Sequence, residues 1–268
     1  MASTTTLVLI VTLLSILATC GHKSQPNTII VAAYFPWWTP EGVADFAQLE
    51  SDAPRFRSDR LYVILNPASG PGPADWGYAP NVAALGQSLQ ASGQVPIGYV
   101  WTDYGNRADA DVKADIDGWI SIYGSSVIRG FFFDGCADSV AQLTIYTAWA
   151  AYARNALPTA KIVVNPGWAS EDAAAYLDDV ADMVMAYEST GASYMAWGSS
   201  EWPSWWKSDR STMRKICVTT HSYADWSQVK GKARSERVGC FHSTSRTLAE
   251  NPYLRLSPEW AAIVDSEV

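Results

Sequence analysis

Charge is scarce in this chain: only 17% of its 268 residues are Asp, Glu, Lys or Arg. Basic residues are the rarer sign, 19 against 27 acidic, for a formal net charge of -8 and a pI near 4.8. Nucleic-acid binding rests on a concentrated Lys/Arg surface, and its absence excludes a phosphate-backbone partner. Histidine and cysteine are also few, three and four. Neither C-x-x-C nor H-x-x-x-H spacing occurs, so no metal site and no cofactor is expected. No N-x-S/T sequon is present, and no G-x-G-x-x-G follows the first apolar run, which argues against an open dinucleotide-binding sheet. Long hydrophobic runs are missing except one, LVLIVTLLSIL from Leu7 to Leu17. It has the length of a signal-peptide core, is too short to span a bilayer, and is followed by Ala18 and Thr19 before Cys20. We read residues 1–20 as a secretory signal, although the n-region MASTTT lacks Lys and Arg. A polar lead-in then covers 21–27 and a single domain 28–268, acting outside the cell as a monomer with no membrane attachment after cleavage. Without Cys20 an odd number of cysteines remains, Cys136, Cys217 and Cys240. Cys217 and Cys240 fall inside neighbouring apolar runs, where a bridge is expected to be strained, so both are expected as buried thiols.

What is abundant is apolar and aromatic. Hydrophobic residues make up 48% of the chain, with 13 Trp and 13 Tyr. Flat amphipathic rings fill cores or form platforms for polar ligands with an apolar face, such as sugars. Eight short apolar runs recur along the chain, at 28–35, 60–66, 95–101, 129–134, 160–165, 182–188, 215–221 and 237–242. Most are hydrophobic almost throughout, as in parallel strands covered on both faces. Helical segments are expected between them at 41–49, 81–91, 110–123, 139–155, 171–177, 202–206 and 226–232, and after the last at 258–264. Eight such units in about 250 residues predict an α/β fold of the closed (β/α)8 barrel type.

In such barrels the chemistry sits where strands end at the C-terminal face. The ends here carry Tyr34, Asn66, Trp101, Asp134, Asn165, Glu188, His221 and His242. Asp134 and Glu188 close the fourth and sixth strands, so the two carboxyl groups can converge on one ligand, the arrangement glycoside hydrolysis requires. Each could equally cap the following helix or pair with an Arg. A carboxylate directly after FFF or MVMAY is costly to bury without a purpose, which favours the catalytic reading. Asn66 and Asn165 both precede Pro, so a turn role stands beside a sugar-binding one. Tyr104, Trp197 and His221 complete the expected binding set, with most helical Trp residues assigned to packing.

Together NPASGPG (66–72), YVWTDYGNR (99–107), DIDGWISIY (115–123), RGFFFD (129–134), VVNPG (163–167), YE (187–188), TTH (220–221) and NPYLRLSPEW (251–260) resemble the spherulin-4 family of secreted glycoside hydrolases, in order over essentially the whole mature chain. The resemblance implies a (β/α)8 hydrolase, endo-acting on an α-1,4-linked N-acetylgalactosamine or galactosamine exopolysaccharide, with Asp134 and Glu188 as its carboxylates. It also implies a further Glu directly after Asp134, where this chain has Gly135. Two readings therefore stand: a working glycosidase, or a polysaccharide-binding, wall-associated protein impaired by that glycine.

Overall fold

The computed structural model describes residues 28–198 and 201–267; the expected signal and lead-in lie outside them. Eight strands, β1 (Thr28–Ala33), β2 (Leu61–Leu65), β3 (Val95–Trp101), β4 (Gly130–Asp134), β5 (Lys161–Asn165), β6 (Met183–Thr190), β7 (Ile216–His221) and β8 (Cys240–Ser243), pair in parallel and in sequence order into a closed barrel. Helices α1 (Pro40–Asp52), α2 (Ala79–Ala91), α3 (Asp109–Ile122), α4 (Leu143–Ala156), α5 (Ala174–Asp179), α6 (Gly191–Ala196), α7 (Arg210–Met213), α8 (Trp226–Ser235) and α9 (Trp260–Glu267) cover its outside. Starts and stops follow local chemistry. Thr39 caps α1 by accepting from the Gly42 amide at 3.1 Å with Pro40 at the first helical position, where its missing N–H costs nothing.

The apolar runs read as continuous because both faces are buried. On β4, Phe132 joins the barrel interior with Ile30, Ile64, Ile97, Val163 and Met185, while Phe131 and Phe133 pack outward with helical residues such as Trp119 and Trp149. FFF is thus one inward ring between two outward ones, and the next inward position belongs to Asp134.

Two expectations are corrected. The helix after β6 is α6, which starts immediately at Gly191 with Thr190 as its cap, and the segment expected at 202–206 is a 3-10 turn at Ser204–Lys207. Cys217 and Cys240 are joined by a disulfide. They are direct register partners across β7 and β8, with Cα atoms 4.5 Å apart, inside the range a bridge accepts. Among the described residues Cys136 is the free cysteine, and it is buried. The β6 strand is irregular. Its register against β7 slips between Met185 and Tyr187, and this bulge changes which side chains face inward. Met183 and Met185 point inward; unbroken alternation would put Tyr187 inward and Glu188 outward. With Ala186 as the extra residue, Tyr187 joins the outer core and Glu188 turns into the barrel mouth.

The disulfide closes a loop of 23 residues, for which the chain-entropy model gives about 3 kcal/mol. The Cys217→Ser/Cys240→Ser double variant is expected to lose about that much in urea unfolding; an unchanged midpoint would count against a stabilising bridge.

Candidate active site

β4, β5 and β6 end side by side, with Asp134 in register with Asn165. Asn165 binds both carboxyl groups through one nitrogen: its Nδ2 donates to Asp134 Oδ1 at 2.8 Å and to Glu188 Oε2 at 2.6 Å. The two acceptor oxygens therefore lie at most about 5.4 Å apart, those two lengths laid end to end. The amide is itself fixed, since its Oδ1 accepts from the Gly167 backbone at 2.9 Å, the turn made by N-P-G. The second oxygen of each carboxyl has a tyrosine. Tyr99 donates to Asp134 Oδ2 at 2.7 Å, and Tyr253 donates to Glu188 Oε1 at 2.5 Å.

Tyr253 arrives from the far end of the chain. Arg255 pairs with Asp45 on α1, which also accepts from the Leu256 amide at 3.1 Å, and Arg246 Nε holds the Leu256 carbonyl at 3.1 Å. These contacts hold the terminal loop over the barrel. Tyr34 stands between the two other tyrosines, edge-on to Tyr99 at 5.6 Å and to Tyr253 at 5.8 Å. Beneath them a small cavity lined by Tyr34, Phe132, Asn165, Glu188, Thr219 and Tyr253 has room for about one water molecule.

Burial raises the Asp134 carboxyl above the usual carboxylate value, and the charge of Glu188 adds to this, against the lowering donors Tyr99 and Asn165. Tyr34, Tyr99 and Tyr253 are all raised, first by burial and then by the carboxylates; all three remain neutral phenols, and Tyr99 and Tyr253 are the donors. Among the described residues no group of three or more His, Cys, Asp or Glu could hold a metal ion.

The other expected residues take different places. Asn66 Oδ1 accepts from the Gly70 amide at 3.1 Å, shaping the loop after β2. His221 is buried, pairs through Nδ1 with Ser222 Oγ at 2.9 Å, and is lowered by desolvation. Tyr104 is 54% exposed and meets Trp101 edge-on at 5.9 Å. Trp197 is corrected: its ring is buried among Trp168, Tyr187, Trp202 and Trp206, so it supports the loops after β5 and β6 and offers no face to a ligand. The exposed ring there is Trp168, half accessible and packed at a tilt against Trp197 with ring centroids 4.7 Å apart. It directly follows the N-P-G turn whose Gly167 carbonyl accepts from the Glu188 amide. Sequence reasoning passed over Trp168, Tyr99 and Tyr253. The first two carried a usable signal, since Trp168 follows N-P-G and Tyr99 shares inward parity with Trp101 on β3.

The model of spherulation-specific family 4 matches residues 28–266. The chain belongs to that family. Spherulin-4 of Physarum polycephalum is 30% identical over 146 residues, 54% of this chain and 40% of that protein's length. Sph3 of Aspergillus clavatus, solved in complex with GalNAc, aligns with a TM-score of 0.72 over 91% of this chain and 98% of that one, at 22% identity; the likeness is one of fold. The closed barrel expected from the periodic apolar runs is therefore the fold this family member shares with a sugar-binding relative.

Gly135, the glycine after Asp134, has φ +56°, and a Cβ placed there would lie 2.4 Å from Cζ3 of Trp101. The Trp101 indole fills the direction a side chain at 135 would take. Gly135→Glu is therefore expected to lose stability by at least the roughly 1–3 kcal/mol of a strained left-handed residue. Trp101→Ala in the same chain should recover part of the loss in thermal melts. Equal stability of Gly135→Glu and wild type would contradict this packing.

Asp134→Asn is expected to raise the melting temperature at pH 7. Because the folded carboxyl is raised, the unfolded chain ionises first as pH climbs past about 3.8, and wild-type stability falls until the folded value is passed. The neutral amide has no such loss, so the gap between variant and wild type should open between pH 4 and 7. A gap that narrows over that interval would reverse the assignment.

Proposed function

We propose that the protein is a secreted, endo-acting glycoside hydrolase that cleaves an α-1,4-linked N-acetylgalactosamine or galactosamine polysaccharide, working as a monomer outside the cell or in its wall. The observation that carries this is the single amide of Asn165 shared by Asp134 and Glu188. Paired carboxyl groups about 5–5.5 Å apart belong to retaining glycosidases, whereas inverting enzymes leave 6.5–9.5 Å for a water. A bound of about 5.4 Å on the oxygens facing Asn165 supports retention.

Asp134, raised by burial, suits the general acid: it passes its proton to the glycosidic oxygen as the bond to the anomeric carbon breaks. Glu188, oriented by Tyr253 and Asn165, attacks that carbon and forms a glycosyl ester. Water, deprotonated by the Asp134 carboxylate, then releases the sugar and returns the proton to Asp134. The GalNAc in the Aspergillus relative supports the choice of sugar. The apolar run at 7–17 and the Cys217–Cys240 bridge accord with an oxidising, extracellular compartment.

One observation favours the alternative, a polysaccharide-binding protein without turnover: Trp101 lies where a further carboxylate at 135 would begin. The deciding experiment is reducing-end release from partly de-N-acetylated galactosaminan. Wild type should cleave with retention, seen as the first product anomer by NMR, and Asp134→Asn and Glu188→Gln should each lose about 10²–10⁴-fold in rate. No release by folded wild type that still binds the polymer selects the alternative; rates unaffected by either substitution reject this active site.

A further inference from the structure

A second cavity on the same barrel face lies away from the carboxylates, between the loops after β1 and β2. It holds about 580 Å³ and is lined by Trp38, Pro67, Ala68, Asp75, Trp76 and Tyr78, with Gly77 between the last two. Two of its rings are open to solvent, Trp38 at 72% and Trp76 at 40%. Tyr78 bridges them, at 6.3 Å from Trp38 and 4.9 Å from Trp76. Isolated exposed apolar residues are ordinary, but a concave set of exposed indoles beside a carboxylate is not explained by folding.

The walls are built in advance of any ligand. Asn66 Oδ1 holds the Gly70 amide at 3.1 Å, Tyr123 donates to the Pro71 carbonyl at 2.9 Å, and Tyr78 reaches the Pro67 carbonyl at 3.4 Å. Gly72, at φ +69°, lets the Trp76 ring lie against the backbone, where a Cβ would sit 3.3 Å from Cε3. A ligand entering such a groove has little loop entropy to overcome. The groove is also continuous in chain with the carboxylate site. Trp38 is four residues beyond Tyr34, at most about 14 Å along an extended backbone, so a polymer seated in one can reach the other.

We infer that this groove is a remote subsite for a protonated amino-sugar unit of the polysaccharide. The occupant follows from the lining. Indole faces accept the apolar face of a pyranose, and Trp is the best ring for a cation. The groove's one ionisable side chain besides tyrosine is the Asp75 carboxylate, on a protein of net charge -8, and this complements an ammonium group. The inference rests on the polysaccharide reading above but concerns binding, so it is separable from turnover.

The test uses the full protein carrying Asp134→Asn, so that ligand is not consumed, and calorimetric titration with a galactosamine oligosaccharide in de-N-acetylated and fully N-acetylated forms. Trp38→Ala and Trp76→Ala should each weaken binding of the de-N-acetylated form by roughly five- to tenfold with unchanged melting temperature. Asp75→Asn should abolish the preference for the de-N-acetylated form, and salt should weaken the parent more than this variant. Binding unaffected by either Trp substitution, no binding of the de-N-acetylated form by the parent, or equal binding of a lysine oligopeptide would overturn the proposal. Absence of cleavage by the protein with native Asp134, alongside loss of binding in the Trp variants, would remove the hydrolase reading and leave the subsite standing.

Discussion

Two carboxyl groups share the primary amide of Asn165 at the barrel mouth, and the surrounding structure is arranged so that this can happen. Like charges a few ångströms apart in a partly buried site repel and are poorly solvated, and each raises the cost of ionising the other. Here the named donors that offset this cost, Tyr99, Asn165 and Tyr253, are neutral. A neutral donor steadies a carboxylate without neutralising it, so one group can keep its proton while the other carries charge. Asp134 is the one pushed upward. Each donor is oriented by something behind it: the N-P-G turn fixes Asn165, the β3 strand places Tyr99, and the Arg255–Asp45 pair holds the segment bearing Tyr253.

Aromatic residues divide into three uses that composition alone does not separate. Trp119 and Trp149 fill the shell between sheet and helices. Trp197, Trp202 and Trp206 form a buried cluster that holds the loop after β6. Trp38, Trp76, Trp168 and Tyr104 stand exposed on the loops of one face, all of them after strands β1, β2, β5 and β3. Their common placement on the C-terminal side is what a long, flat, partly apolar ligand would meet.

The segment after β3 is unusual in backbone as well. Asp103 and Tyr104 have φ of 50° and 54°, followed by Gly105 at 83°, and the Tyr104 amide donates to the Gly135 carbonyl at 2.6 Å. Strained residues of this kind persist when neighbouring structure over-determines them, and they gather at functional sites. Trp101 and Gly135 are part of the same arrangement, ring against α-carbon. The glycine therefore belongs to a packed arrangement in which the Trp101 ring takes the space beside its α-carbon.

Hydrophobic period and turn chemistry by themselves determined the barrel, the order of its strands and the candidate carboxylates, because burial on both faces writes itself into every strand as an unbroken apolar run. They also marked Asn165, whose Pro-Gly neighbours define a turn. What alternation alone could not assign is the direction of Glu188: two inward methionines in MVMAYE place it outward, and only the slip of register against β7 brings it in. Pairing of Cys217 with Cys240 depended on the register of two strands 23 residues apart, and the contact of Tyr253 with Glu188 spans 65 residues. The burial of Trp197 and the filling of the space at Gly135 by Trp101 likewise depend on neighbours remote in sequence. Local sequence carries local preference; a bulge, a cross-strand bond and a ring packed on a glycine are set by the partner strand, and so only tertiary structure decided them.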